Sequence, residues 1–254
     1  MKVLFVGDVV ANIGCDYLAQ TLPKVKNELR PDAVIVNGEN SAQGNGINAA
    51  SAKKILASGA DIITTGNHAY RQQSMNDMYE TSDCIIRPYN YGEDNVGKGI
   101  CTLDLGYTQL CVINMLGTTG LEPLANPFLE ADKLLMNVSC PNIIVDFHAE
   151  ATSEKRAFGY YLAGRVSAVL GTHTHVQTSD EQIIAEHTGY ITDVGMTGPK
   201  ESVLGIKKEI IIERFTTHYP RRFEYADGEC GMGCVLLDIV EKTGKCTKIS
   251  RYNF

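Results

Sequence analysis

The stretch Val3-Leu4-Phe5-Val6-Gly7-Asp8 is an apolar run that ends in a glycine and a carboxylate. A run of this length and composition predicts a β-strand that is buried on both faces, as in a parallel sheet covered by helices. Such a strand places its last polar side chain in the crevice beyond its carboxyl end. Asp8 is therefore the first candidate for a functional residue.

Four more apolar runs end in the same way. They cover residues 34–38, 62–66, 143–147 and 169–171. The polar side chains that follow the five runs are Asp8, Glu39, Asn67, His148, His173 and His175. Because strands of this kind present their carboxyl ends at one edge of a sheet, we expect these side chains to share one crevice.

Helix-like segments alternate with the strand-like runs, which is typical of an α/β fold. Helical composition is found at residues 15–30, 48–58, 128–137 and 152–162. Residues 100–105 and 109–115 predict an antiparallel hairpin, so the sheet is expected to be mixed. Further strands are predicted at residues 166–170, 182–186, 190–193 and 233–240. No internal repeat, low-complexity tract or linker interrupts residues 1–254, which predicts a single domain.

The composition limits the classes of partner. With 254 residues, 44% of them hydrophobic, the chain can bury a large core of its own. A formal net charge of -7 argues against binding to duplex DNA, and a bound phosphate is expected to need a cation.

The apolar runs also bear on location. None approaches the roughly 20 residues of a membrane-spanning helix, and the N-terminal run is too short for a secretory signal. Eight scattered cysteines, several of them inside apolar runs, fit reduced thiols. We therefore predict a cytoplasmic protein without a membrane partner.

The six strand-end side chains offer carboxylate, amide and imidazole ligands, which suit Mn, Fe or Zn. They lack the thiolates of a structural zinc site, and the one close thiol pair, Cys230 and Cys234, has no second pair to complete four ligands. If Glu39 bridged two ions about 3.5 to 4 Å apart, the ions would bind a shared hydroxide and clamp the oxygens of a phosphoryl group. Such a centre hydrolyses phosphate esters.

Each candidate also has a structural interpretation. Asp8 would serve as the N-cap of the next helix. Asn67 would be a turn residue with positive φ, and His148 a hydrogen-bonded histidine of the core. His173 and His175 are two residues apart, so they would point the same way in an extended chain. The shared position of the set at strand ends favours a common site.

The motifs resemble a known superfamily. The order of Gly7-Asp8, Gly38-Glu39-Asn40, Gly66-Asn67-His68, Phe147-His148 and Gly171-Thr172-His173-Thr174-His175 is that of calcineurin-like metallophosphoesterases. Gly7-Asp8-Val9-Val10 and residues 146–155, 164–169, 171–178 and 191–199 resemble the YmdB branch of that superfamily. The resemblance covers essentially the whole chain, and it implies a layered β-sandwich of mixed sheets flanked by helices.

The resemblance also implies a ligand set and an activity. Asp8, Glu39 and His175 would hold one ion, with Asn40 close by, and Glu39, Asn67, His148 and His173 would hold the other. The cofactor would be two divalent ions, with Fe or Mn preferred and Mg or Zn as alternatives. Members of the branch are phosphodiesterases that act on cyclic nucleotides such as 2′,3′-cyclic AMP, so the expected substrate is a small phosphodiester or an RNA end. Self-association is common in the branch, which predicts a homo-oligomer.

His68 is implied as the general acid that protonates the departing ribose oxygen, a role suited to an imidazole that titrates near neutral pH. The other interpretation is a histidine that only orients its neighbours. The branch usually continues Asn-His-Thr-Trp-Asp, whereas this chain has Ala69-Tyr70-Arg71 after His68. This departure bears on the orientation and the pKa of His68.

Three loops are candidates for substrate contacts or for plain connections, namely residues 87–95, 118–120 and 195–198. A phosphomonoesterase is the alternative enzyme, and Arg71, Arg87 and Arg156 are the arginines available for the extra charge of a monoester. A regulatory or binding protein with metals that stabilise the fold and vestigial catalysis is the alternative of a different class.

Overall fold

The computed structural model describes residues 1–254 and contains thirteen strands and six α-helices. The strands are β1 (Lys2–Val6), β2 (Asp8–Val9), β3 (Ala33–Asn37), β4 (Ile62–Thr64), β5 (Ile100–Asp104), β6 (Gln109–Leu116), β7 (Ile143–His148), β8 (Ala168–Thr172), β9 (Gln182–Ile184), β10 (Thr188–Ile191), β11 (Met196–Pro199), β12 (Cys230–Val240) and β13 (Lys245–Asn253). The helices are α1 (Ala11–Leu29), α2 (Ala49–Ala57), α3 (Asn76–Thr81), α4 (Pro127–Leu135), α5 (Thr152–Leu162) and α6 (Lys208–Thr217).

The strands form two mixed sheets. The first has seven strands in the order β2-β11-β12-β1-β3-β4, with β13 beside β12. Strand β1 is parallel to β3 and antiparallel to β12. The second sheet has six strands in the order β5-β6-β7-β8-β10-β9, with a parallel centre and an antiparallel strand at each edge. The prediction of mixed sheets is confirmed.

Alternation along the strands explains why both faces of each sheet are buried. Val3 and Phe5 of β1 belong to a core cluster that also holds Val112, Ile144 and Leu170 of the second sheet. The intervening residues of β1 pack with α1 and α2 on the other face. Successive side chains of a strand point to opposite faces, so the order of layers is helices, sheet, sheet, helices.

The outer face of the second sheet packs in the same way against α4 and α5. Phe147 of β7 stacks on Phe158 of α5, with ring centroids 4.1 Å apart. Leu134 of α4 belongs to the same buried cluster. The layered β-sandwich flanked by helices is therefore confirmed.

Most predicted elements occur within a few residues of their predicted bounds, but several parts of the chain differ, and helices α3 and α6 have no predicted counterpart. The first helix begins at Ala11, before the predicted start at Cys15. The prediction of a flexible loop at residues 195–198 is wrong, because Met196–Pro199 is a strand of the first sheet. Strand β13 has no counterpart among the predicted elements, and most of its residues are exposed or only partly buried.

Buried polar side chains connect the two sheets just below the carboxyl ends of their strands. Asn37 of β3 donates to the carboxylate of Asp146 on β7, with Nδ2 and Oδ2 2.9 Å apart. The backbone N–H of Thr65 donates to Oδ1 of Asn114 on β6 at 3.0 Å. These bonds fix the ends of the strands relative to one another.

The cysteines and the helices add two further facts. All eight cysteines are unpaired, and burial raises the pKa of the Cys234 thiol to about 12, which disfavours a metal-binding thiolate.

None of the helices combines the length and the hydrophobicity needed to cross a bilayer.

Candidate metal centre

The carboxyl ends of five strands deliver polar side chains to one edge of the sandwich. Asp8 follows β1, Glu39 follows β3 and Asn67 follows β4 in the first sheet. His148 ends β7 and His173 follows β8 in the second sheet. Asp8, Glu39 and His148 have no accessible surface.

One group of ligand atoms converges on Glu39. Its Oε1 lies 3.1 Å from Nε2 of His148. The same Nε2 lies 3.0 Å from Nδ1 of His173 and 3.2 Å from Oδ1 of Asn67. One ligand atom each from Glu39, His148 and His173 lie within 4.8 Å of one another, so these side chains can share an ion.

A second group lies beside the first. Nε2 of His175 is 3.6 Å from Oδ1 of Asp8 and 3.2 Å from Nδ2 of Asn40. The backbone N–H of His173 donates to Oδ2 of Asp8 at 3.2 Å, which joins the two groups. The structure thus brings together all seven residues that the sequence suggested as ligands, listed as Asp8, Glu39, Asn40, Asn67, His148, His173 and His175.

The outward nitrogen of each of the three imidazoles meets an oxygen that accepts a hydrogen bond. Nδ1 of His175 lies 3.2 Å from the carbonyl oxygen of Leu204, which can only accept. Nε2 of His173 lies 2.9 Å from a carboxylate oxygen of Glu150. In the neutral tautomer that each acceptor selects, the lone pair of the other nitrogen points into the site.

His148 is oriented through a chain of two acceptors. Oγ1 of Thr172 donates its hydrogen to Oδ1 of Asp146 at 2.7 Å, so it accepts from Nδ1 of His148 at 2.9 Å. This arrangement leaves Nε2 of His148 to face Glu39 and His173. Neither Asp146 nor Thr172 nor Glu150 was identified from the sequence as a contributor to the site. Their only signal was their place in the blocks that carry the family resemblance, with Asp146 and Glu150 in 146–155 and Thr172 in 171–178.

The donor set fits a cation. Oε1 of Glu39 is buried without a hydrogen bond, because its short contacts with His148 and His68 lack hydrogen-bond geometry. Atoms that ligate one ion at about 2.1 Å lie roughly 3.0 to 3.4 Å apart, which is close to the spacing around Glu39. Gly66 is also required, since a Cβ there would lie 2.0 Å from Oε2 of Glu39.

The electrostatics favour a bound positive charge. Burial alone would raise the pKa of Glu39 and of Asp8, but the neighbouring histidines His148 and His175 hold both pKa values below the usual range. Burial lowers the pKa of His148, yet the charge of Glu39 outweighs it and raises that pKa to about 9. Burial and the charge of His148 lower the pKa of His173 to about 4. A cation held by Glu39 would take the place of the proton on His148.

The two histidines after β8 do not lie in an extended chain, so that part of the prediction is wrong. His173 has φ 101° and His175 has φ 63°, both in the left-handed region that non-glycine residues rarely adopt. Thr174 between them donates through its N–H and its hydroxyl to Oδ2 of Asp193, at 3.0 and 2.8 Å. The buried ammonium of Lys155 donates to the same oxygen at 2.7 Å. The ion pair of Lys155 and Asp193 therefore holds the turn at Thr174 in place. The sequence did not indicate this pair.

His68 lies at the border between the two groups. Its Nδ1 is 3.0 Å from Oδ1 of Asn40 and 3.0 Å from Oε1 of Glu39. Its side chain keeps 20% of its surface exposed. The residues that depart from the branch pattern turn away from it, since Tyr70 donates to the carbonyl of Val96 at 2.6 Å. Asn40 and Glu39 therefore contact the imidazole of His68, whereas Arg71 contacts only its backbone carbonyl, at 3.0 Å.

The structural interpretations of single residues do not hold for Asp8 and Asn67. The N-cap of α1 is Val10, and no side chain caps that helix. Asn67 does not have a positive φ. His148 is a buried, hydrogen-bonded histidine, as its structural interpretation predicts, but its Nε2 faces Glu39 and His173.

Two suggested contact loops are held by bonds within the protein. The guanidinium of Arg87 is buried and donates to five backbone carbonyls of residues 88–96, so it shapes the loop 87–95. The backbone N–H groups of Thr118 and Thr119 donate to the carboxylate of Glu154, which leaves them unavailable for a phosphate. Arg156 pairs with Asp180 at 3.5 Å.

Comparisons with known proteins agree with this geometry. The family model described as YmdB-like protein matches residues 4–252. A 2′,3′-cyclic-nucleotide 2′-phosphodiesterase of Bacillus subtilis is 46% identical over 253 residues, which are 99% of this chain and 96% of that protein. A hypothetical protein of Thermus thermophilus has a solved structure that matches with a TM-score of 0.94 at 39% identity, over 100% of this chain and 99% of that one.

A second solved structure, of a phosphatase from Mycoplasma pneumoniae described as novel, also matches with a TM-score of 0.94. It is 32% identical and the match covers 100% of this chain and 93% of that one. The family model spans nearly the whole chain, and the relatives are matched over nearly their full lengths. This chain therefore belongs to the YmdB-like protein family.

Proposed function

We propose that this chain is a metal-dependent phosphodiesterase that hydrolyses 2′,3′-cyclic nucleotides. The main observation behind the proposal is that imidazole nitrogens of His148, His173 and His175 converge on the buried carboxylates of Glu39 and Asp8. The other nitrogen of each ring faces a hydrogen-bond acceptor, which leaves the converging nitrogen with its lone pair. The identity of 46% with the Bacillus subtilis 2′,3′-cyclic-nucleotide 2′-phosphodiesterase supports the substrate class.

The ligand atoms divide between two divalent ions. Asp8 and His175 would hold the first ion, with Asn40 beside them, and Asn67, His148 and His173 would hold the second. Glu39 would contribute to both. Fe or Mn suits these oxygen and imidazole ligands, with Mg or Zn as alternatives. The ions, when bound, would supply a deprotonated water at neutral pH and neutralise charge on the phosphoryl oxygens.

The protein's own groups would then orient the substrate and move one proton. His68 would donate from Nε2, which makes no hydrogen bond with the protein, to the ribose oxygen that leaves. Its Nδ1 would remain bonded to Oδ1 of Asn40, which holds the ring in place. Oε1 of Glu39 lies 3.0 Å from the same Nδ1, on the side of the ring that faces the centre.

The test compares turnover with metal content. Protein loaded with Mn²⁺ is expected to hydrolyse 2′,3′-cyclic AMP. His68→Ala should lower kcat by about 100-fold or more while its metal content stays at the wild-type level. Glu39→Gln should lose both metal and activity, and His218→Asn, at an exposed histidine, should keep both. Equal loss of metal and activity in His68→Ala would contradict the acid role and favour a residue that only orients its neighbours.

The same assay separates the alternative functions. Hydrolysis of monoesters alone would favour a phosphomonoesterase, although Arg87 and Arg156 are engaged elsewhere. Bound metal without hydrolysis of any phosphate ester would favour a regulatory protein. An RNA oligomer that ends in a 2′,3′-cyclic phosphate tests whether RNA ends are substrates. Self-association, a cytoplasmic location and the lack of duplex DNA binding stay predictions.

A further inference from the structure

A cavity of about 490 Å³ opens directly beside the candidate metal centre. Asn40, His68 and His175 contribute to its lining on the side of the centre, and Arg222, Phe223 and Tyr225 contribute from a later segment. Its volume falls within the range of small-molecule sites, roughly 300 to 1,000 Å³. We propose that this cavity is the nucleobase subsite, in which the base of a cyclic nucleotide stacks on Phe223. The inference rests on the proposed function of the centre.

The segment that carries the aromatic residues is fixed to the rest of the protein. The backbone N–H of Lys207 donates to the carbonyl of Glu224 at 2.9 Å, and that of Ala226 donates to the carbonyl of Gly205 at 2.9 Å. The same loop supplies the Leu204 carbonyl that accepts from His175. The cavity and the centre therefore keep a defined geometry before a ligand binds, which reduces the entropic cost of binding.

The charges of the lining suit a nucleotide. No carboxylate lines this cavity, although the whole chain has a net charge of -7. Arg222 lines it and forms no salt bridge. A neighbouring cavity that shares Arg222 and Phe223 contains the acidic residues Glu224 and Asp227, so it is a poorer site for an anion. The contrast favours the first cavity over its neighbour as the place for the base of an anionic nucleotide.

The aromatic residues provide a stacking surface. The ring of Phe223 is held by the guanidinium of Arg214, whose Cζ lies 4.9 Å from the ring centroid. Phe223 lines the cavity and is 45% exposed, so part of its side chain is open to a ligand. Stacking on an aromatic ring tolerates any base, since every base has a π-face. The subsite is thus expected to accept several nucleobases.

The experiment compares a substrate with a base and one without. Phe223→Ala and Phe223→Tyr are assayed with 2′,3′-cyclic AMP and with glycerol 1,2-cyclic phosphate, which has the same cyclic diester and no base. Binding of adenosine 3′-monophosphate and of inorganic phosphate is measured by calorimetry. Phe215→Ala is the matched control, because Phe215 is 73% exposed on α6 and does not line the cavity.

Phe223→Ala is expected to raise KM for 2′,3′-cyclic AMP and Kd for adenosine 3′-monophosphate by about 5- to 100-fold, with kcat close to wild type. Values for glycerol 1,2-cyclic phosphate and inorganic phosphate should not change. Phe223→Tyr should restore nucleotide binding, and Phe215→Ala should behave as the wild type.

The inference is overturned if Phe223→Ala leaves the nucleotide Kd unchanged, or weakens nucleotide and phosphate equally. A loss of nucleotide affinity in Phe215→Ala of the same size would also overturn it, because it would point to the apolar surface of α6 as a whole. If the wild type hydrolyses neither diester, the proposed function fails, and the calorimetric comparison still decides the subsite.

Discussion

Thr172 shows how one hydroxyl can set the orientation of His148, a candidate metal ligand. Its hydroxyl donates to the buried carboxylate of Asp146, so its oxygen can only accept a hydrogen bond from Nδ1 of His148. The imidazole is thereby held with its hydrogen on Nδ1. Partners behind a ligand matter because they fix the tautomer and the direction of the lone pair.

Thr172→Val should therefore weaken metal binding, although Thr172 is not itself one of the candidate ligands. We expect Mn²⁺ affinity to fall by about 10- to 100-fold, because His148 loses the acceptor that selects its tautomer. Titration of metal-free protein with Mn²⁺ measures the effect. Thr172→Ser keeps the hydroxyl and should bind Mn²⁺ as the wild type does. Wild-type affinity in Thr172→Val would exclude this role for the hydroxyl.

The pair of Lys155 and Asp193 is the second residue-scale feature with a measurable consequence. Both side chains are buried, and Asp193 also accepts two hydrogen bonds from Thr174. Lys155→Met should lower the free energy of unfolding by about 3 to 5 kcal/mol, since it leaves a buried carboxylate without its counter-charge. Urea denaturation measures this change.

The matched control for Lys155→Met is Lys200→Met. Lys200 forms an equally short ion pair with Glu229, but both groups are exposed to solvent. Exposed pairs contribute little, so this variant should unfold at nearly the wild-type urea concentration. Similar losses in the two variants would show that burial of the Lys155 pair is not the cause.

At the scale of elements, the turn after β8 is fastened a second time through Asp180. Its carboxylate accepts from the hydroxyl of Thr178 at 2.7 Å and from the backbone N–H of Thr192 at 3.1 Å. Burial alone would raise the pKa of Asp180, but the hydrogen bonds from Thr192 and Thr178 outweigh it and hold the pKa below the usual value of 3.8. Asp180 thus ties the segment after the two histidines to the end of β10.

This pKa shift predicts a pH dependence. A carboxyl group whose pKa is lower in the folded state stabilises the fold above its unfolded pKa of 3.8, and the contribution is lost as the pH falls through the folded value. Asp180→Asn should be modestly less stable than the wild type at pH 7, and the difference should shrink once the pH falls below 3.8. Thermal unfolding between pH 3 and 7 tests the prediction. A constant difference across that range would contradict it.

Elements also show what the sequence could predict. The apolar runs that became β1, β3, β4, β7 and β8 were found because each is buried on both faces. Strand β13 was missed because only its Cys246 is fully buried and most of its other side chains are polar. Strand β11 was missed because it contains Gly198 and Pro199, which are typical of turns, although its backbone pairs with β12.

The sequence could predict which polar side chains converge on the candidate site, but not which residues hold them in place. Asp8, Glu39 and His148 follow hydrophobic strands, which a pattern in the sequence can reveal. The partners of His175 and His173, Leu204 and Glu150, act through a carbonyl and an exposed carboxylate that no local pattern distinguishes. Their roles depend on tertiary contacts between segments that are distant in sequence.

At the scale of the whole molecule, the two sheets share one core, since a single cluster joins Phe5 and Val235 of the first sheet to Ile144 and Leu170 of the second. We propose that residues 1–254 form one domain and unfold in one transition. Far-UV circular dichroism and tyrosine fluorescence, from 12 tyrosines without tryptophan, should give coincident urea curves. Two separate transitions would show that the sheets are independent units.

Metal removal should lower stability without unfolding the protein. The ions would bind only the folded state, so chelation is expected to lower Tm by several degrees, and added Mn²⁺ should reverse the change. The hydrophobic core does not depend on the ions, and the far-UV spectrum should therefore persist. Complete unfolding in chelator would instead mean that the ions have a structural role.

The hydrogen bond from His175 to the carbonyl of Leu204 connects a candidate metal ligand directly to a residue that lines the cavity. We expect a ligand that displaces the 202–206 loop to shift the imidazole, and an ion that moves the imidazole to shift the loop. Thermodynamic reciprocity then requires that a nucleotide and a metal ion change each other's affinity by the same factor. Nucleotide affinity measured at graded metal concentrations would give that factor directly.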